Sequence, residues 1–403
     1  MALLPVDEAL RRLLALAPAE RRTESVSLDM AHGRILAEDV RALLTHPAFD
    51  NSAMDGYAGR HEDFSKTAVE LTVIGQSAAG RGFTGRLGAG EVVRIFTGAP
   101  IPEGADCVLA QEDAERLAND RIRAHFSPPK GRHIRPKGQD FAKGDVIVHA
   151  GESMTPARLT VAAAMNHPSL SVVARPKVAI LATGDELLPP GSQPGPDQII
   201  ASNSFGVGAI ARENGADIID LGIIGDDKTA ITEAVRQAVR SGVDVLVTLG
   251  GASVGDHDLV QPALLDAGMV LDFWKIAMRP GKPLMVGSLG KTVVLGLPGN
   301  PVSSLVCSYL FLEPILRHLG GLPANNRLVS AQLGEALPAN DVRQDYIRGR
   351  LRKNDNGDRI ADPFARQDSS MMRVFAQADC LIIRPVGAPA AEAGAPCEIM
   401  LLS

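Results

Sequence analysis

Four segments in the second half of the chain gather residues that could do chemistry on an anion. TGDE supplies Thr183, Gly184, Asp185 and Glu186. Its hydroxyl and backbone N–H groups could receive a phosphate while its carboxylates held Mg²⁺. A tight turn capping the next helix would use the same four residues. GGASVGDHD (250–258) is denser in glycine, and Gly250, Gly251, Ser253 and Gly255 would let backbone approach a ligand closely, as a phosphate cradle requires. Asp256 and Asp258 behind them suit a metal ion or, equally, the cap of a helix, and His257 reads as an exposed bystander. In LPGNPVSS (297–304), Pro298 and Pro301 rigidify a turn around Gly299 and Asn300, and Ser303 and Ser304 open a helix whose N-terminus can accept an anion. WKIAMRPGKP (274–283) adds the opposite charge: Lys275, Arg279 and Lys282, around a bend forced by Pro280-Gly281. Cations beside three anion-receptive loops favour an anionic ligand.

These loops need a frame. Three of them follow apolar, β-branched runs with no alternation (177–182, 243–249 and 292–297), which predicts strands buried on both faces. Helical stretches at 203–214 and 228–241 lie between them, so the region predicts a doubly wound, mostly parallel α/β domain over 176–322. Ligands of such sheets collect at the carboxyl ends of the strands, where all three loops fall. Upstream, 71–74, 91–96 and 106–110 are strand-like with Gly-rich turns, and 46–144 reads as an inserted, mostly β module. The flanking pieces 1–45 and 145–175 are expected to pack together as an elongated linking and dimerisation domain. Short strands at 344–351, 377–385 and 397–402 predict a small C-terminal β domain over 323–403.

Composition narrows the function classes. A net charge of −6 argues against nucleic acid as the main partner. The opening segment carries Val6, Ala9, Leu10, Leu13 and Leu14 among Asp7, Glu8, Arg11 and Arg12, an amphipathic helix and not a signal peptide. No apolar run approaches a membrane span of about 18 residues, so no membrane partner is expected. Four scattered cysteines without a Cys-x-x-Cys pair suggest neither disulfides nor zinc, and point to a reducing cytoplasm.

Taken together, TGDEL, GGASVGDHD, KIAMRPGKP and GLPGNPVSS, with DNSAMDGYA (50–58) and RIFTGAPIPEGAD (94–106) upstream, resemble the molybdopterin molybdenumtransferase family, related to the carboxyl-terminal domain of gephyrin. Six motifs in one order cover nearly the whole chain. The resemblance implies a four-domain homodimer that inserts molybdate into adenylylated molybdopterin and releases AMP, assisted by Mg²⁺, completing molybdenum cofactor biosynthesis. Molybdopterin adenylyltransferase and acceptor molybdoenzymes are the partners it suggests.

By motif position, Arg279, Lys282, Ser303, Arg348 and Ser369 become oxyanion ligands, and Glu186, Asp226 and Asp258 the metal carboxylates. Asp258, Glu186, Lys275 and Asp55 become catalytic. Thr97, Asp140, Thr183, Gly184, Asp185, Asp227, Gly250, Gly251, Ser253, Gly255, Pro298, Gly299, Asn300 and Pro301 become contacts to the pterin nucleotide. Asp55, Thr97 and Asp140 match positions the family places across the dimer. Where the family usually has Lys-Pro-Gly-Lys, this chain has Arg279-Pro-Gly-Lys282. Two alternatives stand beside this reading: adenylyl transfer alone, and a non-catalytic, gephyrin-like scaffold. The shorter adenylyltransferases resemble only the α/β part, and no long Ser/Pro-rich linker of the kind a fused scaffold would carry is present.

Overall fold

The structure, a computed structural model, describes residues 3–66, 68–251 and 259–402. Two compact units divide it, one made of residues 1–23 and 173–403, the other of 24–172.

The heart of the first unit is a six-stranded sheet. Its order is Asp217–Ile224, Lys177–Thr183, Val245–Leu249, Thr292–Leu297, Met285–Leu289, Val270–Trp274. The first four strands are parallel, and Met285–Leu289 runs antiparallel to both its neighbours, Thr292–Leu297 and Val270–Trp274. Successive residues of each central strand feed two different cores. Val178, Ile180, Val245, Val247, Val293 and Leu295 pack with Val207, Ala211, Val302, Val306 and Phe311. Ala179, Leu181, Leu246 and Val294 turn the other way, onto Ile231, Val235, Ala238, Ala263 and Leu264. Both faces are covered, which is why these strands read as unbroken apolar runs. Helices Asn203–Glu213 and Lys228–Arg240 cover opposite faces, as a doubly wound sheet demands.

The sequence predicts three of these strands, and the structure adds three more. Met285–Leu289 and Val270–Trp274 are short, and their neighbours supply the pairing that makes them strands. The helix Val6–Ala15 belongs to this unit as well. The sequence groups it with 145–175, whereas its buried Ala9 and Leu13 join the core that holds Phe311 and Ile315.

Beyond residue 323 the chain closes a small barrel-like sheet. Gln344–Lys353, Arg359–Pro363, Leu328–Leu333, Pro396–Leu401 and Cys380–Arg384 pair in that order, and the last pairs back onto the first. The two-residue strand Met278–Arg279 is added alongside Gln344–Lys353.

The second unit carries a six-stranded sheet in the order Cys107–Ala110, Gly56–Gly59, Glu91–Ile95, Val69–Ser77, Arg121–Ala124, Ala114–Leu117. Its core is Tyr57, Phe64, Leu71, Val92, Leu109 and Ile122. A separate core of Leu36, Val40, Phe141, Val148, Met154, Met165 and Leu170 joins the stretches that flank it in sequence. Among the described residues no helix is long and apolar enough to cross a membrane.

Candidate functional site

In the first unit the chain runs outward from Lys177–Thr183 to Asp217–Ile224, then reverses to Val245–Leu249, so the strand order switches between Lys177–Thr183 and Val245–Leu249. At the carboxyl ends of those strands lies a cavity of about 890 Å³. That size falls within the range of roughly 300–1,000 Å³ usual for small-molecule sites. Thr183, Gly184, Glu186, Asp226, Gly250, Gly251, Pro298, Gly299, Asn300 and Pro301 line it. Three sequence-distant loops therefore meet in one place.

Backbone packing explains the glycines. Gly250 has φ +95°, and a Cβ there would stand 3.0 Å from the carbonyl oxygen of Thr183. Gly299 comes close to it, since a Cβ on Gly299 would lie 3.7 Å from the Gly250 Cα. The Gly250 N–H donates to the Leu297 carbonyl at 3.3 Å, which ties two of the loops together.

The carboxylates divide by what they already hold. Oδ1 of Asp185 accepts the Asp226 N–H at 2.9 Å, and Oδ1 of Asp227 accepts the N–H groups of Thr229 and Ala230 as the N-cap of Lys228–Arg240. Both, expected from the resemblance to contact the pterin nucleotide, thus also shape loops through one carboxylate oxygen. Glu186 and Asp226 have no such bond among those of the described residues, and both line the cavity. Ser253, Gly255 and Asp258 lie outside the described residues; Gly251 and Leu259, on either side of that stretch, line the cavity.

The proposed oxyanion ligands are placed unevenly. Lys282 is exposed next to Pro283, a lining residue, and Ser303 is buried two residues beyond Pro301. Lys275 sits at φ +80° with its ammonium 4.4 Å from the Trp274 ring centroid. Arg279 is paired with Asp345 and Asp341, which holds its guanidinium above the ordinary range. Arg348 is 1% exposed, donates through Nε to Gln367 at 3.0 Å and through Nη1 to the Asp368 carbonyl at 3.0 Å, and is shifted down by burial. Its guanidinium thus shapes the turn carrying Ser369, whose hydroxyl accepts from Asn300 Nδ2 at 3.0 Å and whose carbonyl accepts the Val302 N–H.

Several lining residues escaped the sequence. Ile199, Ile200, Ala201, Ser202 and Asn203 come from the long connection before a helix, and Ser370 and Met372 from the turn beside Ser369. Asn203 Nδ2 donates to the Gly299 carbonyl at 2.7 Å, so Ser202-Asn203 at a helix start was the one signal available.

In the second unit Asp55 and Thr97 are brought together. Oδ1 of Asp55 accepts both the N–H of Thr97 at 2.8 Å and its hydroxyl at 2.9 Å, and these bonds hold the carboxyl below the usual carboxylate range. Asp140 lies exposed on a separate turn, where its N–H donates to His46.

Glycine-bound loops converging at the switch point of a doubly wound sheet define a ligand-binding α/β protein, here in a multidomain chain. Residues 4–166 match the profile of the MoeA N-terminal region (domain I and II), 179–318 that of the probable molybdopterin binding domain, and 330–402 that of the MoeA C-terminal region (domain IV). The chain belongs to the molybdopterin molybdenumtransferase family. It is 35% identical to the molybdopterin molybdenumtransferase of Haemophilus influenzae over 387 residues, covering 94% of each chain. The enzyme of that name from Bacillus subtilis is 34% identical over 410 residues, covering 99% of this chain and 94% of the relative. The crystal structure of a molybdopterin biosynthesis MoeA protein from Pyrococcus horikosii superposes with a TM-score of 0.84 at 30% identity, covering 100% of both chains.

Proposed function

We propose that this chain inserts molybdate into adenylylated molybdopterin and releases AMP, completing the molybdenum cofactor. The observation that carries the reading is the convergence of three glycine-bound strand ends and two carboxylates, Glu186 and Asp226, on one cavity. Molybdopterin molybdenumtransferase is also the name borne by relatives matched along nearly their full length. Adenylyl transfer alone and a non-catalytic scaffold are not favoured, because the matched regions at 4–166 and 330–402 flank the α/β domain.

In this reading the glycine-bound loops at Gly184 and at Gly250-Gly251 let the pyrophosphate approach the backbone closely, and Asn300, on the adjoining loop, orients the nucleotide. Lys282 and Ser303 receive the oxyanion. Mg²⁺ takes oxygen ligands, and one or two protein carboxylates with substrate phosphates satisfy it. Glu186 and Asp226, uncommitted among the bonds of the described residues and lining one cavity, fit that requirement, with Asp258 a third donor by motif. When bound, the ion would supply neutralising charge at the phosphoanhydride. Water cleaves the phosphoanhydride P–O bond and AMP leaves; the two dithiolene sulfurs bond to molybdenum as their protons leave with one molybdate oxygen as water.

The proposal extends to a cytoplasmic homodimer of four-domain subunits, divided as 1–45 with 145–175, 46–144, 176–322 and 323–403, save that the helix Val6–Ala15 packs on the α/β domain. There Asp55, Thr97 and Asp140 serve the cavity of the second copy. Single-turnover AMP release, separated by chromatography, tests the chemistry. Glu186→Gln and Asp258→Asn should each slow it at least ~100-fold, about 2.7 kcal/mol in the barrier. Near-normal release from both variants would remove the carboxylates from the reaction.

A further inference from the structure

Arg279 opens the RPGK turn, and it is not among the residues lining the cavity. Its Nε donates to Oδ1 of Asp345 at 2.7 Å, its Nη2 to Oδ2 of the same carboxylate, and its Nη1 stands 3.5 Å from Asp341. Asp345 is 8% exposed and lies on Gln344–Lys353, directly opposite Arg279 in the parallel register of Met278–Arg279. A guanidinium forked onto a buried carboxylate is fixed in orientation as well as position, something an ammonium cannot match. The other end of the turn is fixed separately. A Cβ on Gly281 would lie 2.6 Å from Cys307 Sγ, and the Ile276 N–H donates to the Lys282 carbonyl at 3.0 Å. Lys282 is the cation this arrangement leaves exposed, with no ion pair among the described residues, and it adjoins the lining residue Pro283.

We propose that Arg279 is a positioning residue and not an oxyanion ligand. Locked onto Asp345, it holds the turn so that Lys282 presents its ammonium to the incoming oxyanion. The inference rests on the molybdate reading above. It also assigns Asp345, on the C-terminal sheet, a part in oxyanion use.

The test compares Arg279→Lys, Asp345→Asn and the double variant in the full-length protein, titrating molybdate at saturating adenylylated molybdopterin. Each single change should raise the half-saturating molybdate concentration about tenfold with little loss of maximal rate, and the double should do no more than either alone. A direct ligand behaves otherwise. Arg279→Lys keeps the charge and Asp345→Asn frees the guanidinium, so an unchanged or lowered half-saturation would overturn the proposal, as would multiplying effects in the double. Amide hydrogen exchange over 276–284 gives a readout without substrate. It should quicken in the folded Arg279→Lys variant, and unchanged exchange would also overturn the proposal. Quickened exchange in a protein whose wild type shows no molybdate dependence would leave the positioning intact and reject the functional reading instead.

Discussion

Replacing Gly250 by alanine would put a methyl group 3.0 Å from the Thr183 carbonyl oxygen and 3.5 Å from its hydroxyl, where two parallel strands deliver their loops to the cavity. Two costs add. The positive φ of +95° disfavours an L side chain by about 1–2 kcal/mol. Relieving a contact with backbone costs roughly 1–3 kcal/mol more. Reduced freedom of the unfolded chain returns about 0.4–1 kcal/mol. The net loss is about 2–4 kcal/mol, a fall in Tm of roughly 5–15 °C for the transition of this unit. Gly299→Ala is the internal control, because its Cβ meets nothing closer than 3.7 Å and its φ is ordinary. Differential scanning calorimetry of both variants should show Gly250→Ala clearly destabilised and Gly299→Ala within about 2 °C of wild type. Equal Tm values for Gly250→Ala and wild type would refute the close approach of Gly250 to Thr183.

Other changes follow from the same geometry. Lys282→Ala should raise the half-saturating molybdate concentration while leaving pterin-nucleotide affinity, read by calorimetric titration, almost unchanged. Thr97→Val removes one of the bonds that hold down the Asp55 carboxyl, so its carbon-13 NMR titration should move up towards the ordinary value. Because the folded value is the depressed one, the stability Asp55 contributes is present above about pH 4 and fades as pH falls through its folded value. Burial pushes the Cys107 and Cys380 thiols up to about 12, so iodoacetamide at pH 8 should label the half-buried Cys397 first and leave those two intact until the protein unfolds.

What could be read from the sequence was local, and what could not came from elsewhere in the chain. The strands Lys177–Thr183, Val245–Leu249 and Thr292–Leu297 were legible because burial on both faces leaves them almost wholly apolar, with no polar alternation. Their glycine-bound ends were legible for the same reason, since each break in the apolar run was abrupt. Arg279 carried no hint of its partner, because Asp345 is 66 residues further on, on a strand whose pairing with Met278–Arg279 no local pattern announces. The resemblance makes Asp227 a ligand contact, and its part as the N-cap of Lys228–Arg240 shows only in the structure, where it accepts the N–H groups of Thr229 and Ala230. The helix Val6–Ala15 showed its apolar face plainly, yet nothing local said that Phe311 and Ile315 would cover it.

Metal analysis and mass spectrometry of the pterin product test the central claim most directly. The purified protein would be incubated with adenylylated molybdopterin, molybdate and Mg²⁺, then its bound pterin and the free nucleotide measured together. One molybdenum per pterin, appearing in step with one AMP, is the expected result. Unaltered adenylylated molybdopterin, or AMP released with no molybdenum on the pterin, would contradict it.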